Sequence, residues 1–135
     1  MFLLVSCTQS DPLEGYIQEH KDLAMHFHPK LRIEIDGKEQ LIPRNVGISD
    51  KGMRYVHTHN ATGELHIEGP KPQDYYLRDF FTIWGKKYTG SCIFDYCTND
   101  THEVQMWLNG VQIEDGPDLL LVDHDDIVIR YVEKK

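Results

Sequence analysis

The chain has 135 residues, of which 40% are hydrophobic and 27% are charged, a composition typical of one soluble domain with its own hydrophobic core. Its 14 Lys and Arg residues against 22 Asp and Glu residues give a net charge of −8, which argues against a nucleic-acid partner and against an anionic membrane surface. Histidine is the unusual component, because five of the eight histidines fall in two short segments.

The first residues resemble a bacterial lipobox. The tetrapeptide Leu4-Val5-Ser6-Cys7 follows an apolar start. In a lipobox the leader is removed before the cysteine, which then carries a lipid. A complete leader has a basic region and an apolar stretch of about 7–15 residues, and both are cut short here. Either the start codon lies further upstream, or the match arises by chance and Cys7 is a free thiol.

Polar residues punctuated by Pro12 and Gly15 follow, as expected for a tether. We therefore expect a truncated lipoprotein signal and polar tether over residues 1–22 and a single folded domain over residues 23–135. Cys7 is the expected lipidation site. The protein is then expected in the cell envelope, on its periplasmic or extracellular face, with the lipid as its only membrane contact and with any envelope protein partner left open.

The first part of the domain predicts two hairpins. Residues 31–35 alternate between apolar and polar side chains, an Asp-Gly pair offers a tight turn, and residues 40–42 return. Two further extended runs, residues 53–59 and 64–68, are separated by a short loop and carry most of the clustered histidines.

A helix and a third hairpin follow. Apolar side chains at i, i+3, i+4 and i+7 form one stripe over residues 75–84, with Asp74 placed to cap the helix and Gly85 placed to end it. An Asn-Gly turn then joins alternating residues on either side of position 110, and residues 127–132 form a last strand.

One helix among hairpins predicts an α+β fold with a mixed sheet. The ending from Leu119 to Ile127 resembles the closing strand of β-grasp (ubiquitin-like) domains. The resemblance implies a β-grasp-like sheet with one helix, into which the histidine-bearing hairpin is inserted.

Two cysteines remain, Cys92 and Cys97, with four residues between them. Two cysteines in an exported protein most often form a disulfide, which we expect here. Soft metal ligands and a redox pair are the alternatives, although zinc and thioredoxin motifs place only two residues between their cysteines.

The clustered histidines are spaced for one face of β-strands. In three segments, side chains able to bind a metal stand two positions apart, and such residues point to the same face of a strand. The candidate ligands are His26, His28, His57, His59, His66 and Glu68. We assign His20, His102 and His124 to hydrogen-bonded or surface roles.

The second and third segments can be paired explicitly. If the loop of residues 60–63 closes a hairpin with His59 opposite Glu64, then His57 lies opposite His66. Opposed Cβ atoms are about 4.5–5.5 Å apart, and two imidazoles at that distance reach one metal ion. A slip of one residue turns His66 to the other face and dissolves the site.

Imidazole nitrogens completed by a carboxylate suit copper and zinc. We therefore predict an α+β metal-binding domain that holds a Cu or Zn ion for binding, storage or transfer. A second hypothesis is a metalloenzyme whose ion keeps an open position, with Glu64 or Glu68 as general base. A third is a non-catalytic interaction module of the envelope whose histidines are surface features. The sequence assigns no catalytic residue, and it contains no phosphate-binding loop and no serine-hydrolase elbow.

From His26 to Tyr131 the chain resembles a group of small, histidine-rich, exported proteins of bacteria and archaea. The segments that carry the resemblance are HFHP, IPRNVGI, HTHNATGELHIEGP, YYLRDFFTIWG, WLNG and DHDDIVIRY. Relatives often have Asp where Asn60 stands here, and Asn would be the weaker ligand. The resemblance implies export but no particular reaction.

Overall fold

The computed structural model describes residues 13–135, so the lipobox-like segment and Cys7 lie outside the described residues. The described chain forms short strands, one α-helix and one 3-10 turn. In chain order the elements are β1 (Tyr16–Ile17), β2 (Met25–Phe27), β3 (Lys30–Ile35), β4 (Lys38–Gln40), β5 (Ile48–Ser49), β6 (Gly52–Arg54), β7 (Val56–His57), β8 (His66–Gly69), α1 (Leu77–Trp84), β9 (Cys92–Ile93), β10 (Tyr96–Cys97), β11 (His102–Leu108), β12 (Val111–Ile113), the 3-10 turn (Gly116–Asp118) and β13 (Asp126–Glu133). No helix within residues 13–135 is long and apolar enough to cross a membrane.

The largest sheet has five strands in the order β12-β11-β13-β3-β4. Strands β13 and β3 run parallel, and the other neighbours are antiparallel. Its two hairpins turn at Asp36-Gly37 and at Asn109-Gly110, and all four of these residues have positive φ, as such tight turns require. Both hairpins predicted from these turn pairs are present, although the first returns at residues 38–40 rather than at 40–42. The predicted last strand is also present, and the predicted α+β class is confirmed.

Alternating residues of this sheet form the hydrophobic core. The register sets Leu31 beside Ile127 and Ile33 beside Ile129, and all four side chains are buried. Residues between them point to the other face, where the carboxylate of Glu34 pairs with nearby arginines. The alternation of side chains along each strand thus determines which of them are buried. Burial of each aliphatic side chain stabilises the folded state by about 1.5–3 kcal/mol relative to leaving it exposed.

The helix begins at Leu77, the first residue of the apolar stripe and two residues after the predicted start at Tyr75. The Asp79 carboxylate accepts a hydrogen bond of 2.7 Å from the backbone N–H of Tyr76, so the first turn is capped from within rather than by Asp74. The helix ends at Gly85 as predicted, because this glycine adopts the left-handed conformation with φ of 75°.

Three smaller sheets complete the fold. One has the order β2-β8-β7, a second has the order β1-β6-β5, and β9 and β10 form a hairpin. That hairpin carries a disulfide between Cys92 and Cys97.

The segment of residues 13–22, assigned to a tether on its composition, includes strand β1. This strand pairs with β6, and the guanidinium carbon of Arg54 lies 4.3 Å from the centre of the Tyr16 ring. The packed part of the chain therefore begins before residue 23.

The loop between β7 and β8 is fastened to the start of β3. The backbone N–H of Leu31 donates to the carbonyl of Gly63 at 2.8 Å, and the N–H of Leu65 donates to the carbonyl of Pro29 at 2.8 Å. These hydrogen bonds join the histidine-bearing sheet to the five-stranded sheet.

Two glycines test this attachment, because they share a backbone conformation but differ in surroundings. Gly63 has φ of +84° and a Cβ there would meet the Leu31 carbonyl oxygen at 2.2 Å, whereas Gly110 has φ of +83° and no atom within 4 Å. We expect Gly110→Ala to lower the free energy of unfolding by about 1–2 kcal/mol. Gly63→Ala should lower it by about 3 kcal/mol or more, because the loop must also detach. Urea denaturation measures both, and equal losses would contradict the attachment.

Candidate metal centre

The middle strand of the β2-β8-β7 sheet supplies the centre of the site. His66 and Glu68 point to one face of β8, and Ile67 between them is buried in the core. On one side β7 sets His57 opposite His66, and on the other side β2 sets His26 opposite Glu68. Three adjacent strands therefore present ligand-type side chains on one face.

The predicted pairing of His57 with His66 is present, and the predicted ladder stops there. Strand β7 ends at His57, so His59 lies in the loop and does not pair with Glu64 as predicted; Glu64 pairs instead with Lys30 in an isolated bridge. His59 nevertheless turns back to the site, since its Nε2 lies 3.1 Å from Nε2 of His57.

His28 follows β2 and completes the other side of the cluster. Its backbone N–H donates to the Asp123 carboxylate at 2.8 Å, and this hydrogen bond lowers the pKa of Asp123. Its ring centre lies 4.5 Å from that of His26 and 4.7 Å from that of His66. The loop before β13 thus holds the backbone that positions this imidazole.

His57 is fully buried and is oriented by the backbone. Its Nδ1 lies 2.7 Å from the carbonyl oxygen of Arg54, which only an N–H at Nδ1 can satisfy. That hydrogen bond leaves the lone pair on Nε2, the atom that faces His59. Burial lowers the pKa of His57 to about 4, so the ring is the neutral form that a metal requires.

The separation of these two nitrogens fits a shared metal ion. Two ligands on a tetrahedral ion with bonds of about 2.0–2.1 Å stand about 3.3 Å apart, close to the 3.1 Å between the Nε2 atoms of His57 and His59. His66 adds a buried ring nitrogen: its Nε2 makes no hydrogen bond, although the Glu64 carboxylate lies 3.2 Å away. A buried ring nitrogen that makes no hydrogen bond and lies beside a carboxylate is suited to accept a cation.

Glu68 is a fully buried carboxylate surrounded by imidazoles. Its Oε1 lies 3.2 Å from Nε2 of His26 and 3.2 Å from Nδ1 of His66, and its Oε2 lies 2.6 Å from Nδ1 of His20. Burial alone would raise its pKa, but the hydrogen bonds from His20 and His66 act against burial, and the pKa of the carboxyl lies below its ordinary value. The site therefore contains a negative charge at its centre.

Sequence spacing failed to find His20. Its ring centre lies 5.2 Å from that of His59 and its Nδ1 contacts Glu68, so it belongs to the cluster. The next histidine along the chain, His26, is six positions away, so no H-x-H spacing marks His20. The pairings of β1 with β6 and of β2 with β8 hold the segment that carries it beside the site. The other two histidines lie elsewhere: His102 stacks on Tyr131, and the side chain of His124 is 86% exposed.

The six predicted ligands fall into two overlapping groups. In each group the ligand atoms lie within 4.8 Å of one another, a spacing that can hold a metal ion. The first group is His26, His28, His66 and Glu68, and the second is His57, His59, His66 and Glu68. The structure therefore brings together every candidate ligand that the strand spacing predicts.

Comparison of the chain with protein-family models, with curated proteins and with solved structures finds no match.

The buried histidines make the stability of the metal-free protein depend on pH. In the unfolded chain His57 takes up a proton near its ordinary pKa of 6.5, whereas the folded pKa is about 4. Between these values protons favour the unfolded state, so the free energy of unfolding should fall as the pH drops from 6.5 to 4, by at most about 3 kcal/mol from this group. The lowered pKa of His66 acts in the same direction.

Urea unfolding in the presence of a chelator measures this dependence. His57→Gln does not titrate, and we expect its stability to vary less over this pH range. His124→Asn, a change at an exposed position that tolerates positive φ, should keep the full dependence. Equal pH dependence in His57→Gln and in the unchanged protein would show that His57 is not the buried neutral group described here.

Proposed function

We propose that this protein binds a copper or zinc ion through its paired strand histidines and stores or transfers that ion in the cell envelope. The observation that carries the proposal is the convergence of imidazoles from β2, β7 and β8 on one buried carboxylate, in two overlapping groups whose ligand atoms each lie within 4.8 Å of one another. The proposed ligands are His26, His28, His57, His59, His66 and Glu68.

The donor set supports copper or zinc over harder cations. Imidazole nitrogen suits copper and zinc, whereas magnesium and calcium prefer oxygen ligands. Cys92 and Cys97 bond to each other, so these two sulfurs are not free to act as ligands. With nitrogen and oxygen donors alone, copper(II) binds most tightly of the first-row divalent ions, and zinc binds less tightly than copper(II).

A metalloenzyme is the second candidate, and the position of Glu64 favours it. Its carboxylate is half-exposed and lies 3.2 Å from Nε2 of His66, where the cluster meets solvent. A general base needs this placement, within reach both of a metal-bound water and of solvent. Surface histidines in an interaction module would not account for the complete burial of His57 and Glu68.

We also infer a β-grasp-like architecture for the domain. The order β12-β11-β13-β3-β4 supports this inference, because a first hairpin and a later hairpin flank a final strand that runs parallel to β3. The helix lies between the two hairpins in the chain, and the β7–β8 unit with its histidines precedes the helix as an insertion.

Export and lipid attachment at Cys7 are proposed from the lipobox-like segment and from the resemblance to exported proteins. A disulfide between Cys92 and Cys97 is compatible with this location, since disulfides persist in oxidising compartments.

Metal addition should stabilise the untagged protein. At a free ion concentration of 100 times the Kd, binding adds about 2.7 kcal/mol, which raises the Tm by several degrees in a chain of this size. We expect zinc and copper(II) to produce this shift in the unchanged protein and in His124→Asn, measured by differential scanning calorimetry. His26→Ala combined with His59→Ala should remove most of it. No shift in the unchanged protein, or an equal shift in the double variant, would contradict metal binding at this cluster.

If a lipid is attached at Cys7, membrane association should depend on that residue. Expressed from its complete gene in a bacterium, the protein should partition with membranes and incorporate labelled fatty acid, and Cys7→Ala should lose both properties. Labelling that persists in Cys7→Ala, or its absence in the unchanged protein, would refute the lipoprotein assignment without touching the metal site.

A further inference from the structure

The cluster contains more donors than one ion uses. Six imidazoles surround Glu68 once His20 is included. A zinc ion in a protein almost always takes four ligands. The two groups of ligand atoms share only His66 and Glu68, and each group is complete by number.

The carboxylate of Glu68 divides these imidazoles into two sets. Oε1 contacts His26 and His66, while Oε2 contacts His20. His20 in turn lies beside His59, whose Nε2 faces that of His57. The two oxygens of one buried carboxylate therefore face different histidine sets.

We propose that the cluster holds two metal ions at once, with Glu68 bridging them through its two oxygens. This proposal rests on the proposed function, because it requires that the cluster bind metal at all. Ions in two-metal sites stand about 3.5–4 Å apart, a distance that a bridging carboxylate spans.

The histidines divide between the two proposed ions. The first ion takes His26 and His28, and the second takes His57, His59 and His20. His66 lies between them, with Nδ1 3.2 Å from Glu68 and Nε2 free of hydrogen bonds. The nearby carboxylate of Glu64 and the net charge of −8 offset part of the added positive charge.

His20 links the second ion to the N-terminal segment. This histidine follows β1, which pairs with β6 near the cluster. An ion at the second position should therefore restrict the motion of residues 16–20, whereas an ion at the first position should not.

Native mass spectrometry of the full chain, titrated with zinc, tests the stoichiometry. Cys7→Ser is present throughout so that no free thiol competes. We expect two ions per chain at saturation. One ion at saturation overturns the two-ion proposal and leaves the proposed function standing, whereas no bound ion overturns both.

Variants on each side test the division. His26→Ala with His28→Ala should leave one ion, and so should His59→Ala, whereas His124→Asn and His102→Gln should keep two. His20→Ala should weaken the second ion at least tenfold and leave the first unchanged. Loss of both ions in each of the single-side variants would show one undivided site.

Copper(II) paramagnetic resonance tests the bridge. Two copper(II) ions this close should broaden the ordinary signal and give a half-field transition at two equivalents, absent at one equivalent. Glu68→Gln should lose the magnetic coupling between the two copper ions. His59→Ala, which leaves the buried carboxylate in place, should give the ordinary signal of a single ion. Two bound ions with independent, uncoupled signals in the unchanged protein would overturn the bridge.

Discussion

Glu68 places a carboxylate where water does not reach, and a buried charge of this kind destabilises a fold by several kcal/mol unless partners compensate for it. The surrounding structure provides that compensation. Strand β8 fixes Glu68 in the middle of its sheet, β2 brings His26 to one oxygen, and the segment after β1 brings His20 to the other. The low pKa of the carboxylate and the neutral state of His57 follow from the same arrangement. A cation is the remaining partner that would satisfy both the charge and the lone pairs.

The two sheets depend on each other through short connections. Only two residues separate β2 from β3, so the strand that carries His26 continues into the parallel pair at the centre of the five-stranded sheet. The backbone hydrogen bond between Leu31 and Gly63 attaches the histidine-bearing loop at the same point. The Asp123 carboxylate, in the loop before β13, holds the backbone of His28. The packed core thus fixes the positions of the candidate ligands, which would reduce the conformational entropy lost on binding an ion.

Local signals in the sequence predicted the hairpins, the end of the helix and the pairing of His57 with His66, because turn chemistry and a period of two determine each of them. Sequence reasoning missed features set by contacts distant along the chain. His20 reaches Glu68, 48 residues away, because the strands before and after it both pair near the site, β1 with β6 and β2 with β8. The extended run that begins at Met53 breaks into β6 and β7, and the helix takes its cap from Asp79, which lies inside the first turn. Neither the break nor the internal cap leaves a distinct mark in hydrophobic periodicity.

Both proposals for this protein require that a metal ion bind among the imidazoles around Glu68. Anomalous diffraction at the zinc absorption edge, from crystals of the protein grown with zinc, tests it most directly because it locates the ion without reference to affinity. We expect strong anomalous density about 2.0–2.1 Å from Nε2 of His57 and of His59, and within bonding distance of the Glu68 carboxylate. Density confined to exposed histidines such as His124, with the nitrogens around Glu68 still hydrogen-bonded to one another, would contradict it.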